Sequence, residues 1–551
     1  MGIYHDQVIE AAYLHTKPGC FYIGPFARRV SFASQQYRAL DLVAALAHKN
    51  KLVHPKGHRR ANKPKQVAVI GAGIAGLTAA AALRGQGCRV HLYERKDEPL
   101  MLQKNARHRL IHPTISRWPD SKPELTTTFP FLDWFAAPCD QVISAMRREW
   151  KERLCPARGD RNFEFRPKVK ITGLKSEHGA VTLMMDAGCC GRDIPEYDYA
   201  FVTTGYGDEE GTEDKNAISY WTGDEIDIWR EERRQVYISG CGDGGLIDAL
   251  RLVHADFDRG WLAIRLAHLL TERMPTSVLE EISDAENQAL MAAKSLACMN
   301  LTVSGDEGAI DAPLRKVGAR FENDAIVRGL TQFYRDLVPK LPYEARNLLD
   351  VSLRKANVAN GRVVLVSRQE EPFGPYAAPI HKIMVQHARW RNRITYSKGE
   401  LSLADGNKTI RLISDRRSIE VTEEMGLVVR HGSHANLSGL AFDAESESLK
   451  IRQFMLADYI DTESRPQLPP PPGYPDEVSE RSRYIGARRE MVQELVETLE
   501  PGATVTATGQ KYFYESPLVA PPDRKAVGID VPEKVFGIDI VRAEMLEVEA
   551  L

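Results

Sequence analysis

Apolar positions along the chain group into short strand-like runs separated by helical periods, and the same order occurs twice. Val67, Val69 and Ile70 form an apolar run, Ile74 to Leu83 a helix, and "CRVHLYE" a second run ending at Glu94; the switch of period predicts strand, helix, strand. Residues 130 to 154 read as helical. Phe163, Phe165, Val169 and Ile171, then Val181, Leu183 and Met185, alternate with period two, which predicts a β-meander, and "YDYAFVTTG" is an apolar strand ending on Gly205. The order then repeats. Val236 to Ser239 is strand-like, Leu246, Ile247, Leu250 and Val253 mark a helix, and "GRVVLVSRQ" is an apolar strand ending at Arg368. Residues 379 to 390 have helical spacing. "RITYSKGELSLADGNKTIRLIS" alternates, with turn signals at Lys398-Gly399 and Gly406-Asn407, and "GLVVRHG" stands where "FVTTG" stood in the first half.

The fold class that this order predicts is α/β: two Rossmann-like domains with a helical insertion and a small α+β C-terminal tail. Residues 1–65 are an N-terminal extension and basic linker; Tyr37, Leu40, Val43, Ala44 and Ala47 share a helical face there, as in a docking helix. Residues 66–232 form the first domain, and 233–256 with 356–464 the second. Between them, 257–355 is a mostly helical insertion, a candidate cap, with Trp261, Leu262, Leu266, Leu269, Ile326, Leu330, Phe333, Tyr334 and Leu337 spaced for buried faces. A stiff proline-rich linker occupies 465–476, and 477–551 is the tail.

Composition narrows the function classes. The chain has 551 residues, 43% hydrophobic and 27% charged, with a formal charge of -2, so no global field draws it to nucleic acid or an anionic membrane. The basic stretch at 49–65 has no interleaved aromatics to stack on bases and reads as a solvated linker. No run approaches the ~18 apolar residues of a membrane span, and the expectation is a soluble, cytoplasmic protein with a small-molecule substrate. The extension or the tail could meet a protein partner or a second copy. Eight cysteines include no C-x-x-C pair, which argues against a dithiol centre or zinc knuckle. Cys189-Cys190 reads as a turn and Cys241 as a small packed side chain. His431 and His434 lack the acidic partner a metal pair would need, so no metal is expected.

"GAGIAG" has the spacing G-x-G-x-x-G. It follows a strand, opens a helix at Ile74 and Ala75, and precedes an acid about 20 residues on. Gly71 permits the tight turn, Gly73 lets the backbone approach a pyrophosphate at the helix N-terminus, and Gly76 allows close helix–strand packing. Glu94, followed by Arg95, is placed to accept from ribose hydroxyls and would repel a 2′-phosphate; FAD or NAD is expected there, not NADP.

On these residues the chain resembles the flavoproteins with two dinucleotide-binding domains, in which the first unit binds FAD and ends in an Ala-Thr-Gly-like turn; Thr203-Thr204-Gly205 stands in that position. In that family a second glycine motif follows and binds NAD(P)H. "GCGDGG", with Gly240, Gly242, Gly244 and Gly245, is similar to it, 35 residues after Gly205. The tail lacks the family's usual C-terminal Gly-Asp flavin motif, and the Baeyer–Villiger fingerprint and the amine-oxidase paired glycines are absent. In "LQKNARHRLIHPTISRWPD", Arg107 or Arg109 could hold the FAD pyrophosphate, and His112 or Trp118 could face the isoalloxazine. Two accounts of the second motif stay open. If "VVLVSRQ" returns beside Val236 to Ser239, Arg368 stands where an arginine meets the 2′-phosphate of NADPH; otherwise Asp243 meets the flavin ribityl chain. The resemblance implies an FAD-dependent oxidoreductase reduced by NADPH or NADH, passing electrons to oxygen or an organic acceptor, with monooxygenation preferred. The alternatives are an FAD-only amine or amino-acid oxidase and a flavin-binding sensor or assembly subunit without turnover.

Overall fold

The computed structural model describes residues 2–24, 30–55, 63–120, 123–155, 161–186, 195–205, 220–302, 312–356, 362–404, 407–413 and 417–431, then single residues up to Glu497 and the segments 504–508 and 511–515. His434, Cys189 and Cys190 lie outside them, as does nearly all of the proline-rich linker.

The first half contains α1 (Gly2–Ala12), β1 (Cys20–Tyr22), α2 (Phe32–His48), β2 (Gln66–Ile70), α3 (Ile74–Gly85), β3 (Arg89–Glu94), β4 (Leu110–Ile111), β5 (Ala137–Pro138), α4 (Cys139–Glu149), β6 (Phe163–Pro167), β7 (Ile171–Glu177), β8 (Ala180–Met185) and β9 (Tyr199–Val202). A five-stranded sheet has the order β1-β9-β2-β3-β6, and every pairing in it is parallel. Parallel strands are buried on both faces. One face carries α2 and α3, packed through Leu42, Val43, Leu46, Leu77 and Ala80, and the other carries the β7–β8 hairpin through Val181 and Leu183.

Three elements differ from the sequence pattern. The first strand of the expected meander, β6, pairs parallel to β3, because period-two alternation carries no information about strand direction. The helix expected over 130–154 begins only at Cys139, after Pro138. Most consequentially, the N-terminal segment supplies the edge strand β1, which pairs with β9 from Cys20↔Ala200 to Tyr22↔Val202. Gln453 closes over it, donating from Nε2 to Tyr22 O at 2.7 Å.

The second half contains α5 (Ile226–Glu231), β10 (Val236–Ser239), α6 (Asp243–Val253), α7 (Trp261–Arg273), α8 (Thr276–Thr302), α9 (Ala312–Leu337), α10 (Tyr343–Ala356), β11 (Val363–Ser367), α11 (Pro379–Trp390), β12 (Ile394–Ala404), β13 (Asn407–Leu412), β14 (Arg417–Glu420) and β15 (Gly426–Val429), before a hairpin of β16 (Thr504–Thr508) and β17 (Lys511–Glu515). Its sheet order is β14-β13-β12-β11-β10-β15. The strand β11 does return beside β10, in parallel register from Val236↔Val363 to Ser239↔Val366. No turn forms at Lys398-Gly399. Instead β12 runs through it and changes partners, parallel to β11 up to Lys398 and antiparallel to β13 from Gly399. The inserted helices share one core with α6 and α11 through Leu266, Leu270, Leu330, Leu349, Ile383 and Met384.

Candidate functional site

Both glycine turns sit at the carboxyl edge of their sheets and match in register and torsion. Gly71 N donates to Tyr93 O and Gly240 N to Val366 O, each at 2.8 Å. Gly71 has φ +103° and Gly240 φ +117°, a region open to glycine and strained for other residues. Gly73, which precedes α3, has φ −74° and ψ −175°, while Gly242, which precedes α6, has φ −73° and ψ 175°.

The space around the glycines separates their roles. A Cβ on Gly76 would collide with Gly71 O, and one on Gly245 with Gly240 O, so the third glycine of each turn serves packing. Around a Cβ on Gly73 or Gly242 nothing lies within 4 Å. At both turns the middle glycine therefore faces open space beside the first turn of a helix, Ile74-Ala75 of α3 and Asp243-Gly244 of α6, and a helix start of this kind fits a diphosphate. Thr203 closes the first turn, its hydroxyl donating to Ile70 O at 2.9 Å or Gly71 O at 2.8 Å; Thr204 is exposed beside it, and Gly205 takes φ +72°. Arg430 takes the place of Thr203 in the second unit, its N donating to Ser239 O at 2.7 Å.

The register also identifies the residues that would face each ribose. Glu94 ends β3, its Oε2 accepting from Ala72 N at 2.7 Å and its Oε1 from Lys96 N at 2.9 Å, which holds the carboxylate at the turn. The same position on β11 is Ser367, whose hydroxyl lies 3.0 Å from Tyr396 Oη. Arg368 follows it as Arg95 follows Glu94. Arg95 is exposed, and the Arg368 side chain, 76% exposed, lies 3.3 Å from Glu400.

Asp243 is turned toward α11. Its Oδ1 accepts from Ala378 N at 2.9 Å and faces His381 Nδ1 at 2.7 Å, tying the starts of α6 and α11 together. Cys241 is buried and burial pushes its thiol up to about 12, as a packed side chain requires.

The candidates between the turns have other partners. Arg109 is buried, not poised at a pyrophosphate: it grips both oxygens of Asp248 on α6, donates from Nε to Tyr220 O at 3.1 Å, and stacks 3.8 Å over the Tyr220 ring. Asp248 also accepts from Arg430 Nε at 2.9 Å, and Arg251 pairs with Asp224. Burial alone would raise the Asp248 carboxyl, but Arg109 and Arg430 more than reverse it and hold it at about 2. Arg107 is 84% exposed, 3.5 Å from Asp140. His112 is buried with Nδ1 accepting from Thr114 N and Ile115 N, and burial, reinforced by His268, lowers it to about 3. Trp118 is buried, donating from Nε1 to Thr271 of α7 at 2.9 Å. Neither ring lies open at the carboxyl edge. His431 faces Ser239 Oγ at 2.7 Å. Among the described residues no cluster could hold a metal ion, and no helix is long and apolar enough to cross a membrane.

Sequence reasoning missed an aromatic line between the two sites. Phe32, the first residue of α2, lies 5.8 Å from Trp221; Trp221 lies 5.0 Å from Tyr220; and the Tyr220 ring borders Gly244 in the first turn of α6. No spacing rule connects Phe32 with Tyr220-Trp221, which lie far from it in the chain.

Residues 66–190 match the family model described as FAD dependent oxidoreductase. Among solved structures, the chain is similar to bacillithiol disulfide reductase from Bacillus cereus, at 12% identity over 68% of this chain and 81% of that one, with a TM-score of 0.36. The Staphylococcus aureus counterpart aligns at 12% identity over 69% and 79%, TM-score 0.36, and Lactococcus lactis thioredoxin reductase at 10% over 67% and 77%, TM-score 0.31. No curated protein matches the sequence.

Proposed function

For a chain whose residues 66–190 match the FAD-dependent oxidoreductases, we propose that the first glycine turn holds FAD and the second receives NADPH, which reduces it. The observation that carries this reading is the match of the second turn to the first, with Ser367 where Glu94 stands. A carboxylate at that position accepts from ribose hydroxyls and repels a 2′-phosphate. A serine removes the repulsion, and the exposed Arg368 beside it offers a guanidinium that binds phosphate bidentately.

When bound, FAD supplies the two-electron chemistry, taking a hydride from the nicotinamide and giving electrons to an acceptor. The chain's own residues do the rest. Gly73 and Gly242 admit the diphosphates, Glu94 and Ser367 select the riboses, and the Arg109–Asp248 pair fixes the first-unit loop against α6. Burial raises the thiols of Cys20, Cys88, Cys139 and Cys241, so none of these supplies a thiolate relay at neutral pH. An acceptor met directly, oxygen or an organic substrate, suits that arrangement, and monooxygenation is the finer reading within it.

The test is anaerobic mixing of the flavin-loaded protein with NADPH or NADH. Fast bleaching of the flavin absorbance by NADPH, with the preference over NADH lost in Arg368→Ala, is the expected result. Intact flavin that neither nucleotide bleaches overturns the reading.

A further inference from the structure

The N-terminal segment carries a feature that the glycine turns do not use. Gln35, in the first turn of α2, is 9% exposed, and its amide Nε2 is buried with no hydrogen-bond partner. An unpaired buried donor costs about 1–3 kcal/mol and calls for an explanation. Its neighbour Gln36 is fully engaged, accepting from Trp134 Nε1 at 2.7 Å and donating to Leu132 O at 2.9 Å.

The topology shows where this turn of α2 lies. The strand β1 is parallel to β9 and β2, so its carboxyl end shares an edge with Gly71, Gly73 and Thr203-Thr204-Gly205. The helix α2 runs back from that edge: just past its far end, Lys51 O accepts from Tyr199 Oη at 3.0 Å, and Tyr199 begins β9. Its first turn therefore stands at the carboxyl edge, in the layer of α3 and on the β9 side of it. Ligands of open α/β sheets bind outside this edge. A dinucleotide whose adenosine ribose is at Glu94, on β3, and whose diphosphate is at Gly73 extends its other half away from β3, past β9, toward α2.

We infer that Gln35 is a flavin-contacting residue, its side-chain amide donating to the flavin half of the FAD held at the first glycine turn, so that the N-terminal segment completes the cofactor site. The inference rests on the assignment of FAD to that turn. The capping box of Ser31 and Ser34 satisfies the Ser31 and Ser34 N–H groups, and Gln35 Nε2 is the buried side-chain donor in this turn that lacks a partner. An amide donor at a flavin carbonyl stabilises the charge that the ring gains on reduction.

The test uses the full chain with Gln35→Met, which keeps the volume and removes the donor, and Gln35→Glu, which keeps the shape and puts a carboxylate there. Apoprotein is titrated with FAD by flavin fluorescence, and the visible spectrum, midpoint potential and apoprotein Tm are recorded. The expected results are an FAD Kd raised at least tenfold in both variants, a shifted flavin band, a lower midpoint potential, and an apoprotein Tm for Gln35→Met that is unchanged or higher. A gain in Tm with Kd, spectrum and potential unchanged in both variants makes Gln35 a packing residue and overturns the inference. A wild-type chain that takes up no flavin overturns instead the assignment on which it rests.

Discussion

Gly242→Ala separates the fold from nucleotide binding at the second turn. Gly242 has φ −73° and ψ 175°, torsions that alanine adopts freely, and nothing lies within 4 Å of the added methyl group. Removing a glycine from the unfolded chain favours folding by about 0.4–1 kcal/mol, and the poorer helix cap offsets a similar amount. Stability is therefore expected to stay within about 1 kcal/mol of wild type. Binding has no such compensation. The methyl occupies space that a diphosphate needs in order to reach the α6 N–H groups, and loss of one charge-assisted hydrogen bond costs about 1.5–3 kcal/mol, or roughly 10- to 150-fold in Kd. The assay is the NADPH concentration dependence of anaerobic flavin bleaching, with urea unfolding run on the same protein. An unchanged NADPH dependence at unchanged stability refutes the assignment of a nucleotide to this turn.

Three further outcomes follow from the geometry. Gly76→Ala and Gly245→Ala, whose Cβ atoms collide with Gly71 O and Gly240 O, should lose several kcal/mol of stability, read as a fall in the urea midpoint, with binding lost only as a consequence. Asp248→Asn should destabilise more than Arg109→Met, about 3–5 kcal/mol by urea denaturation, because it leaves Arg109 and Arg430 facing each other without their shared carboxylate, while Arg109→Met leaves Asp248 still paired to Arg430; the reverse order would refute the network as drawn. Burial lowers His112, His254 and His268 each to about 3, so each is held neutral when folded and takes up a proton near about pH 6.5 when unfolded. That contribution is complete above about pH 6.5 and is lost as pH falls toward 3, at up to about 1.4 kcal/mol per pH unit for each histidine; urea midpoints that stay constant from about pH 7 to about pH 5 would count against it.

Much of the site was legible because glycine turns constrain backbone chemistry locally. G-x-G-x-x-G after a strand demands one positive φ, one open approach and one close packing, and both turns meet all three demands. The return of β11 stayed open in the sequence: "VVLVS" is apolar on both faces, as a central parallel strand must be, but that pattern does not say which strand lies beside it, and the pairing with β10 supplies that. What escaped the sequence depends on partners distant in the chain. Three residues, Cys20 to Tyr22, are too few to show a period, and only their pairing with β9 makes them a strand. A basic loop does not reveal whether its arginine meets phosphate or carboxylate; Arg109 meets Asp248, 139 residues away. Gly399 looked like a turn because glycine breaks many strands, yet here it is where β12 exchanges one neighbour for another.

The placement of β1 and α2 also bears on how the two sites communicate. If the N-terminal segment were only an appended docking helix, its loss would leave both cradles intact. Instead Phe32 begins α2 and touches Trp221, which touches Tyr220, which borders α6 beside Gly244. Arg109 stacks on the same Tyr220 ring and grips Asp248 on the same helix. The start of α2 is thus joined to the second glycine turn by packed rings, and a buried ion network ties the loop that carries Arg109 to the same helix α6. Packed interiors transmit displacement because they have few voids to absorb it. A change at Tyr220, such as Tyr220→Ala, should therefore alter both FAD affinity and the NADPH dependence of bleaching, whereas substitutions at Arg368 should alter only the second. Loss of NADPH dependence alone in Tyr220→Ala would show that the aromatic line does not join the two sites.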